Sequence, residues 1–198
     1  MKKRILFFGI CLLLISFQLK AQHFDDPALT FRKISSIPLQ TLKGKETFIQ
    51  KSNVSLYLFV FLSPECPLCK NYSTVLNTIE KKYGNKLQVY GLVPGATYTQ
   101  KDLQTFSNDY KIAFPLLIDR QKAFSNYVQA TVTPEVVLTD KVGTVVYRGA
   151  IDDWVQELGK KKIKPQQHYL VEAIEQYLLG EPVLVKQTTP KGCLINEF

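Results

Sequence analysis

The apolar positions of this 198-residue chain follow two patterns, short continuous runs and longer stretches of helical spacing. The most apolar run is SLYLFVFL at 55–62, which predicts a strand buried on both faces of a sheet. From 67 to 83, apolar side chains recur at three- and four-residue spacing, and Gly84 ends the pattern. The sequence therefore predicts a buried strand followed directly by an amphipathic helix.

The same two patterns alternate along the rest of the chain. They predict strands at 86–93 and 114–118, a hairpin at 135–139 and 144–147, a short strand pair at 37–42 and 46–49, and helices at 100–111, 120–128 and 167–179. Alternating strands and helices with a terminal hairpin are typical of the α/β class. We expect a central mixed sheet with helices on both faces.

The N-terminal segment has a different composition. Three basic residues at 2–4 precede an apolar core at 5–17, and Ala21 follows as a cleavage position. This order predicts a signal peptide at 1–21 and an exported protein, periplasmic or otherwise extracytoplasmic. An uncleaved membrane anchor is the alternative, although the apolar core is short for a span.

Loss of the signal peptide lowers the net charge from +8 to about +4, so much of the basic character belongs to the export signal. No nucleic-acid partner is indicated, and the lysine run at 160–162 is expected in a solvated loop. The remaining segment, 22–198, suits one domain, with a tail at 181–198 that follows the last predicted helix.

Two cysteines stand where the buried strand gives way to the helix, in the stretch SPECPLCK. If Pro67 takes the first helical position, Cys66 becomes the N-cap residue, and the positive end of the helix favours its thiolate. Cys69 lies on the same face of the first turn, within reach of a disulfide with Cys66. Cys66 is therefore the candidate nucleophile and Cys69 the candidate resolving thiol of a redox pair.

Other uses of the pair are weaker hypotheses. A zinc site needs further ligands, and the exported chain offers only His23, His168 and Cys193, none of them in a second paired motif. Covalent haem attachment requires a histidine where Lys70 stands. A purely structural disulfide across so short a loop would contribute little stability. No metal or other cofactor is expected.

A second motif, VTPE, follows at 132–135, where Pro134 precedes a predicted strand. The order of strand, CPLC, helix and a later Thr133-Pro134 resembles the thioredoxin superfamily, and so implies a thioredoxin-like fold. The resemblance also implies that Thr133 and Pro134 flank Cys66, with a cis-proline beside the cysteines and the Thr133 backbone binding an extended substrate.

The segments FPLLIDRQKAFSNYVQATVTPEVVLTD and GTVVYRGAIDD are similar to the redoxin branch of that superfamily, which includes AhpC/TSA proteins and exported thiol-disulfide oxidoreductases. Thioredoxins usually carry a buried acid where this chain has Val60, so Glu65 or water is considered as the proton acceptor for Cys69. Peroxiredoxins usually carry proline and threonine where this chain has Phe59 and Ser63, which weakens the prediction of a peroxidase.

The tail contains the third cysteine of the exported chain, Cys193. It is a candidate for resolving an oxidised Cys66, for pairing with a partner chain, or for binding a metal with His168; a simple buried or exposed thiol is the alternative.

We expect an exported thiol-disulfide oxidoreductase acting on disulfide-containing or dithiol proteins, with a membrane electron donor if it acts as a reductase. The alternatives are a thiol peroxidase, and a metal-binding or metallochaperone protein using the CxxC with His168 or Cys193.

Overall fold

The computed structural model describes residues 29–195, so the predicted signal peptide at 1–21 lies outside the described residues. The strands are β1 (Leu39–Thr41), β2 (Glu46–Thr47), β3 (Leu56–Phe61), β4 (Leu87–Pro94), β5 (Leu116–Asp119), β6 (Val132–Thr133), β7 (Glu135–Asp140), β8 (Val145–Gly149), β9 (Val155–Glu157), β10 (Lys160–Lys161) and β11 (Cys193–Leu194). The helices are α1 (Phe31–Ile34), α2 (Pro67–Tyr83), α3 (Gln100–Asp109), α4 (Ala123–Tyr127) and α5 (Tyr169–Leu178).

Seven strands form one mixed sheet in the order β2-β1-β5-β4-β3-β7-β8. Strand β3 runs parallel to β4 and antiparallel to β7, and all six of its residues are buried. Strand β3 therefore lies between two other strands inside the sheet, which explains its continuous apolar sequence.

Alternate side chains of β3 enter two different cores. Leu58 and Val60 pack with residues of α2, α3 and α5 on one face. Tyr57, Phe59 and Phe61 pack with residues of α1 and α4 on the other. Because successive strand residues point to opposite faces, one strand anchors both layers of helices. The predicted α/β architecture, with helices on both faces, is confirmed.

Most predicted elements are found with shorter bounds, whereas α2 has the predicted bounds and β7 and β8 are each one residue longer than predicted. The helix expected from 120 begins at Ala123, because the buried Asp119 carboxylate accepts hydrogen bonds from the N–H groups of Phe124 and Ser125 and so fixes the helix start. The predicted hairpin forms as β7 and β8, and the Asp140 side chain accepts three main-chain N–H groups in its turn.

Two strand pairs were not predicted. Strands β9 and β10 form a small hairpin, so the lysine run begins in a strand rather than in a loop, although Lys160 and Lys161 are exposed as expected. Strands β6 and β11 join the middle of the chain to the tail. Each pair contains a two-residue strand, which is too short to give a periodic signal. Within residues 29–195, no helix is long and apolar enough to cross a membrane.

Candidate active site

Helix α2 begins within the CPLC motif. Cys66 is its N-cap residue, with φ −74° and ψ 115°, and Pro67 occupies the first turn as predicted. Proline suits this position because the N–H that it lacks would have no helical partner. Cys66 thus lies just beyond the end of the buried strand β3. Cys66, Cys69 and Cys193 are all free thiols.

Cys66 is the most readily ionised of these thiols. It is 1% exposed, yet its pKa is lowered to about 4. The largest cause is a hydrogen bond from the Cys69 thiol; burial opposes it, and the Cys193 thiol lowers the pKa further. The main-chain N–H of Cys69 at the helix start and that of Cys193 also lower the pKa, each less than either neighbouring thiol does. Neighbouring thiols therefore stabilise the thiolate more than the helix start does, in contrast to the sequence-based expectation.

Cys69 has the opposite character. It is fully buried, and burial is the largest cause that raises its pKa well above the ordinary thiol value, followed by the hydrogen bond with Cys66. The N–H of Ser63 donates to its sulfur at 3.4 Å and opposes the rise. At neutral pH the pair therefore combines one thiolate with one protonated thiol.

Thr133 and Pro134 lie beside the first cysteine, joined by a cis peptide bond. The Cys66 sulfur is 3.1 Å from the Thr133 carbonyl oxygen, to which the protonated thiol donates. The opposing influence on the Cys66 pKa is burial, and the hydrogen bonds of Cys69 and Cys193 together outweigh it. The buried Glu135 carboxylate accepts the N–H of Thr131 at 2.8 Å and so holds the loop that carries Thr133.

Cys193 reaches the same site from the C-terminal tail. It lies in β11, which pairs antiparallel with β6, and its Cα partner is Thr133. Burial is the main cause that raises the pKa of Cys193 to about 12, and the hydrogen bond with Cys66 acts in the same direction. The fold thus brings together Cys66, Cys69, Thr133, Pro134 and Cys193, which are widely separated in sequence.

The other two predicted accessory residues lie apart from this cluster. Glu65 is exposed, and its carboxylate accepts a hydrogen bond from the Tyr98 hydroxyl at 3.4 Å. His168 is the exposed N-cap residue of α5, where its N–H donates to Glu172 at 3.0 Å. In the part of the chain that the structure describes, neither side chain has a hydrogen bond or ion pair with a thiol.

A pair of hydroxyl groups beside Cys69 was not predicted. The Tyr98 hydroxyl lies 2.7 Å from Oγ of Ser63, whose N–H contacts the Cys69 sulfur. Burial is the largest cause that raises the pKa of Tyr98, and the charges of Glu65 and Cys69 raise it further. No motif marks Tyr98, because it stands in the loop between β4 and α3 and meets Ser63 only through the fold.

Metal binding was an alternative use of the cysteines. Across residues 29–195, no group of three or more His, Cys, Asp and Glu side chains is arranged to hold a metal ion. The metallochaperone hypothesis stays a prediction from sequence.

Comparison with known proteins bears on the family and the fold. The model of the AhpC/TSA family matches residues 30–148. The thioredoxin-like protein YneN of Bacillus subtilis is 25% identical over 104 residues, which span 52% of this chain and 61% of the relative. The match therefore covers less than two thirds of that protein.

Solved structures share the fold. A hypothetical protein from Sinorhizobium meliloti 1021 has a TM-score of 0.72 at 23% identity, covering 85% of this chain and 92% of its own. An uncharacterized conserved protein from Geobacillus kaustophilus has a TM-score of 0.73 at 21% identity, and the match covers 87% of this chain and 93% of that protein. A thioredoxin-like protein from Aeropyrum pernix has a TM-score of 0.52 at 16% identity, and the match covers 60% of this chain and 83% of that protein. The fold is thioredoxin-like, and the extent of the family match means that this chain belongs to the AhpC/TSA family.

Proposed function

We propose that this protein is a thiol-disulfide oxidoreductase in which Cys66 is the nucleophile and Cys69 the resolving thiol. One observation carries the proposal: two free thiols three residues apart at a helix start have pKa values displaced in opposite directions. Such a pair supplies a thiolate for the first attack and a protonated thiol that reacts only in the second step.

The exchange proceeds in two steps. The Cys66 thiolate attacks one sulfur of a substrate disulfide, the second substrate sulfur leaves as a thiolate, and a mixed disulfide forms. Cys69 then loses its proton and attacks the Cys66 sulfur, which releases the reduced substrate and leaves a Cys66–Cys69 disulfide. The reverse sequence oxidises a dithiol substrate.

Substrate recognition is proposed at the Thr133-Pro134 segment. The contact between the Cys66 sulfur and the Thr133 carbonyl supports it, because an extended peptide bound along this backbone would place its own sulfur near Cys66. The substrates proposed are disulfide-containing or dithiol proteins.

We also propose that the protein is exported, on the strength of the basic and apolar N-terminal sequence. A reductase outside the cytoplasm would draw electrons from a membrane donor. A pulse of labelled full-length protein in its host would test export: the expected product lacks the first 21 residues and is found outside the cytoplasm, and an uncleaved cytoplasmic protein would contradict it.

The exchange reaction is tested with protein lacking 1–21. Reduction of insulin disulfides by dithiothreitol should be accelerated by the wild type and by the control variant Asn71→Ala, which replaces an exposed side chain of α2. Cys66→Ser should abolish the acceleration, and Cys69→Ser/Cys193→Ser should trap mixed disulfides on Cys66. Equal rates for all four proteins would refute the proposal.

A second candidate, a thiol peroxidase, is favoured by membership of the AhpC/TSA family. The Cys66 thiolate would attack the peroxide O–O bond and become a sulfenic acid, which Cys69 or Cys193 would convert to a disulfide with loss of water. The buried Phe59, directed to the opposite core, stands against it, because peroxiredoxins usually have proline there. Consumption of hydrogen peroxide with a dithiol donor, at rates well above those of disulfide exchange, would make it the better candidate.

A further inference from the structure

The C-terminal tail does not end at the last helix but returns to the active site in two anchored steps. Residues 186–188 first run beside β8, where Arg148 donates its N–H to Lys186 and accepts that of Thr188, each at 3.0 Å. The Thr188 hydroxyl lies 2.6 Å from that of Tyr147 and accepts the N–H of Ala150 at 2.9 Å. This first step fixes the tail to the body of the fold.

The second step crosses to the Thr133-Pro134 segment. Strand β11 pairs with β6, and the N–H of Ile195 donates to the carbonyl of Thr131 at 3.0 Å. The approach is so close that a Cβ built on Gly192 would lie 2.2 Å from the Thr133 oxygen. Among the described strands, β11 is the only pairing partner of β6.

The tail therefore occupies the backbone edge that an extended substrate would need, and its cysteine faces the nucleophile. Cys193 is paired with Thr133, whose carbonyl oxygen lies 3.1 Å from the Cys66 sulfur, and Cys66 is 1% exposed. A protein disulfide cannot reach so buried a sulfur unless a neighbouring element moves. Strand β11 is two residues long and Leu194 is 76% exposed, so it is held less firmly than β3 or α2.

We propose that the tail is an internal substrate: β11 docks on β6 as an extended peptide would, and Cys193 exchanges with Cys66 to form an intramolecular Cys66–Cys193 disulfide. The proposal rests on the proposed role of Cys66 as nucleophile. Starting from the Cys66–Cys69 disulfide, Cys193 gives its proton to solvent and attacks the Cys66 sulfur. The Cys66–Cys69 bond breaks, and Cys69 leaves as a thiolate and takes up a proton. One disulfide and one thiol are present before and after, so no external oxidant is needed.

Two consequences follow for substrate choice. A protein substrate must displace β11 before it can pair with β6. A small disulfide such as glutathione disulfide needs no backbone pairing, so it can react while β11 stays docked, and Cys193 is then placed to resolve the mixed disulfide. The tail thus discriminates between substrates by size.

The first experiment detects the cross-link directly. Reduced Cys69→Ser protein, lacking 1–21, is treated with glutathione disulfide, and its disulfides are mapped by peptide mass spectrometry. Cys66 attacks glutathione disulfide and releases one glutathione; Cys193 then attacks Cys66 and releases a second. The expected product is a monomer with a Cys66–Cys193 bond. The matched Cys69→Ser/Cys193→Ser protein should stop at glutathione-modified Cys66. Persistent glutathione on Cys66 in both proteins, or dimers linked through Cys193, would overturn the proposal.

The second experiment displaces the tail and leaves all three cysteines in place. Gly192→Ala introduces the clash with the Thr133 oxygen, whereas Lys191→Ala changes an exposed neighbour. Overpacking of this kind shifts a docking equilibrium by about fivefold or more. In the Cys69→Ser background, Gly192→Ala should lower the cross-link yield by that factor. With Cys69 present, it should accelerate insulin reduction relative to glutathione disulfide reduction, and Lys191→Ala should change neither. An unchanged yield and an unchanged rate ratio would overturn the proposal.

These outcomes are separable from those of the proposed function. If wild-type protein cycles between dithiol and Cys66–Cys69 disulfide but Cys69→Ser gives no Cys66–Cys193 bond, the inference about the tail is wrong and the oxidoreductase proposal stands. If Cys66–Cys69 does not cycle but the Cys66–Cys193 bond forms, the assignment of Cys69 as resolving thiol is wrong.

Discussion

The Cys193 thiol should lower the pKa of a cysteine 127 positions away in the chain, and its removal gives a quantitative test of the site geometry. Cys66 has its pKa lowered to about 4, with the Cys69 thiol as the largest cause and the Cys193 thiol as a smaller one. Cys193→Ala removes one thiol donor from a sulfur that is 1% exposed. The Cys69 donor and the helix start remain.

The magnitude follows from the strength of a hydrogen bond to a charged group. Such a bond contributes about 1.5–3 kcal/mol, and about 1.4 kcal/mol corresponds to one pH unit of pKa. Loss of the Cys193 donor should therefore raise the pKa of Cys66 by about 1 to 2 pH units. Water that enters beside the sulfur will offset part of the loss, so the lower end is expected. Cys69→Ala should raise the pKa of Cys66 by more.

The assay is the pH dependence of iodoacetamide alkylation, followed on the Cys66 peptide by mass spectrometry. The wild type and Lys191→Ala should lose reactivity as the pH falls through about 4, whereas Cys193→Ala should lose it at a higher pH. A Cys66 titration in Cys193→Ala that matches the wild type would refute the argument, because it would mean that the Cys193 thiol does not contact the Cys66 sulfur in solution.

Three further predictions concern stability, each measured by urea denaturation of the reduced protein. Phe59→Ala should lower the free energy of unfolding by about 3–5 kcal/mol, because Phe59 is fully buried and its ring centroid lies 4.9 Å from that of Phe124; an effect below about 1 kcal/mol would contradict the packing. Tyr72→Phe should lower it by about 1–3 kcal/mol, since the Tyr72 hydroxyl donates to the buried Asp152 carboxylate at 2.5 Å; a neutral effect would mean that water replaces the bond. The Cys66 thiolate should stabilise the fold fully above the ordinary thiol pKa of about 8.5, and this contribution should vanish as the pH falls through about 4. The stability difference between wild type and Cys66→Ser should therefore shrink with acidification, and a constant difference would contradict the lowered pKa.

Local sequence was sufficient to predict the central part of the fold. The run at 56–62 has no charged residue because β3 lies between two strands and under helices on both faces. The helix at 67–83 has the predicted bounds, since Pro67 and Gly84 mark its two ends within the sequence itself. Both signals depend on neighbours a few residues apart.

Short strands with distant partners escaped prediction. β6 and β11 have two residues each, and Cys193 pairs with Thr133. Nothing in the local pattern of either segment indicates the other, because the pairing depends on a glycine at 192 that permits close approach to the Thr133 oxygen.

Taken alone, the sequence determined the α/β class, the position of the CPLC motif at a helix start, and the candidate pair Cys66 and Cys69. Those features are encoded by spacing within a strand or a helical turn, so the sequence carries them in full. The tertiary structure alone decided that the Cys66 thiolate is stabilised chiefly by neighbouring thiols, and that the tail pairs with β6 and brings Cys193 beside Cys66. Hydrogen bonding and burial act through space, and the distances between these groups exist only after the chain has folded.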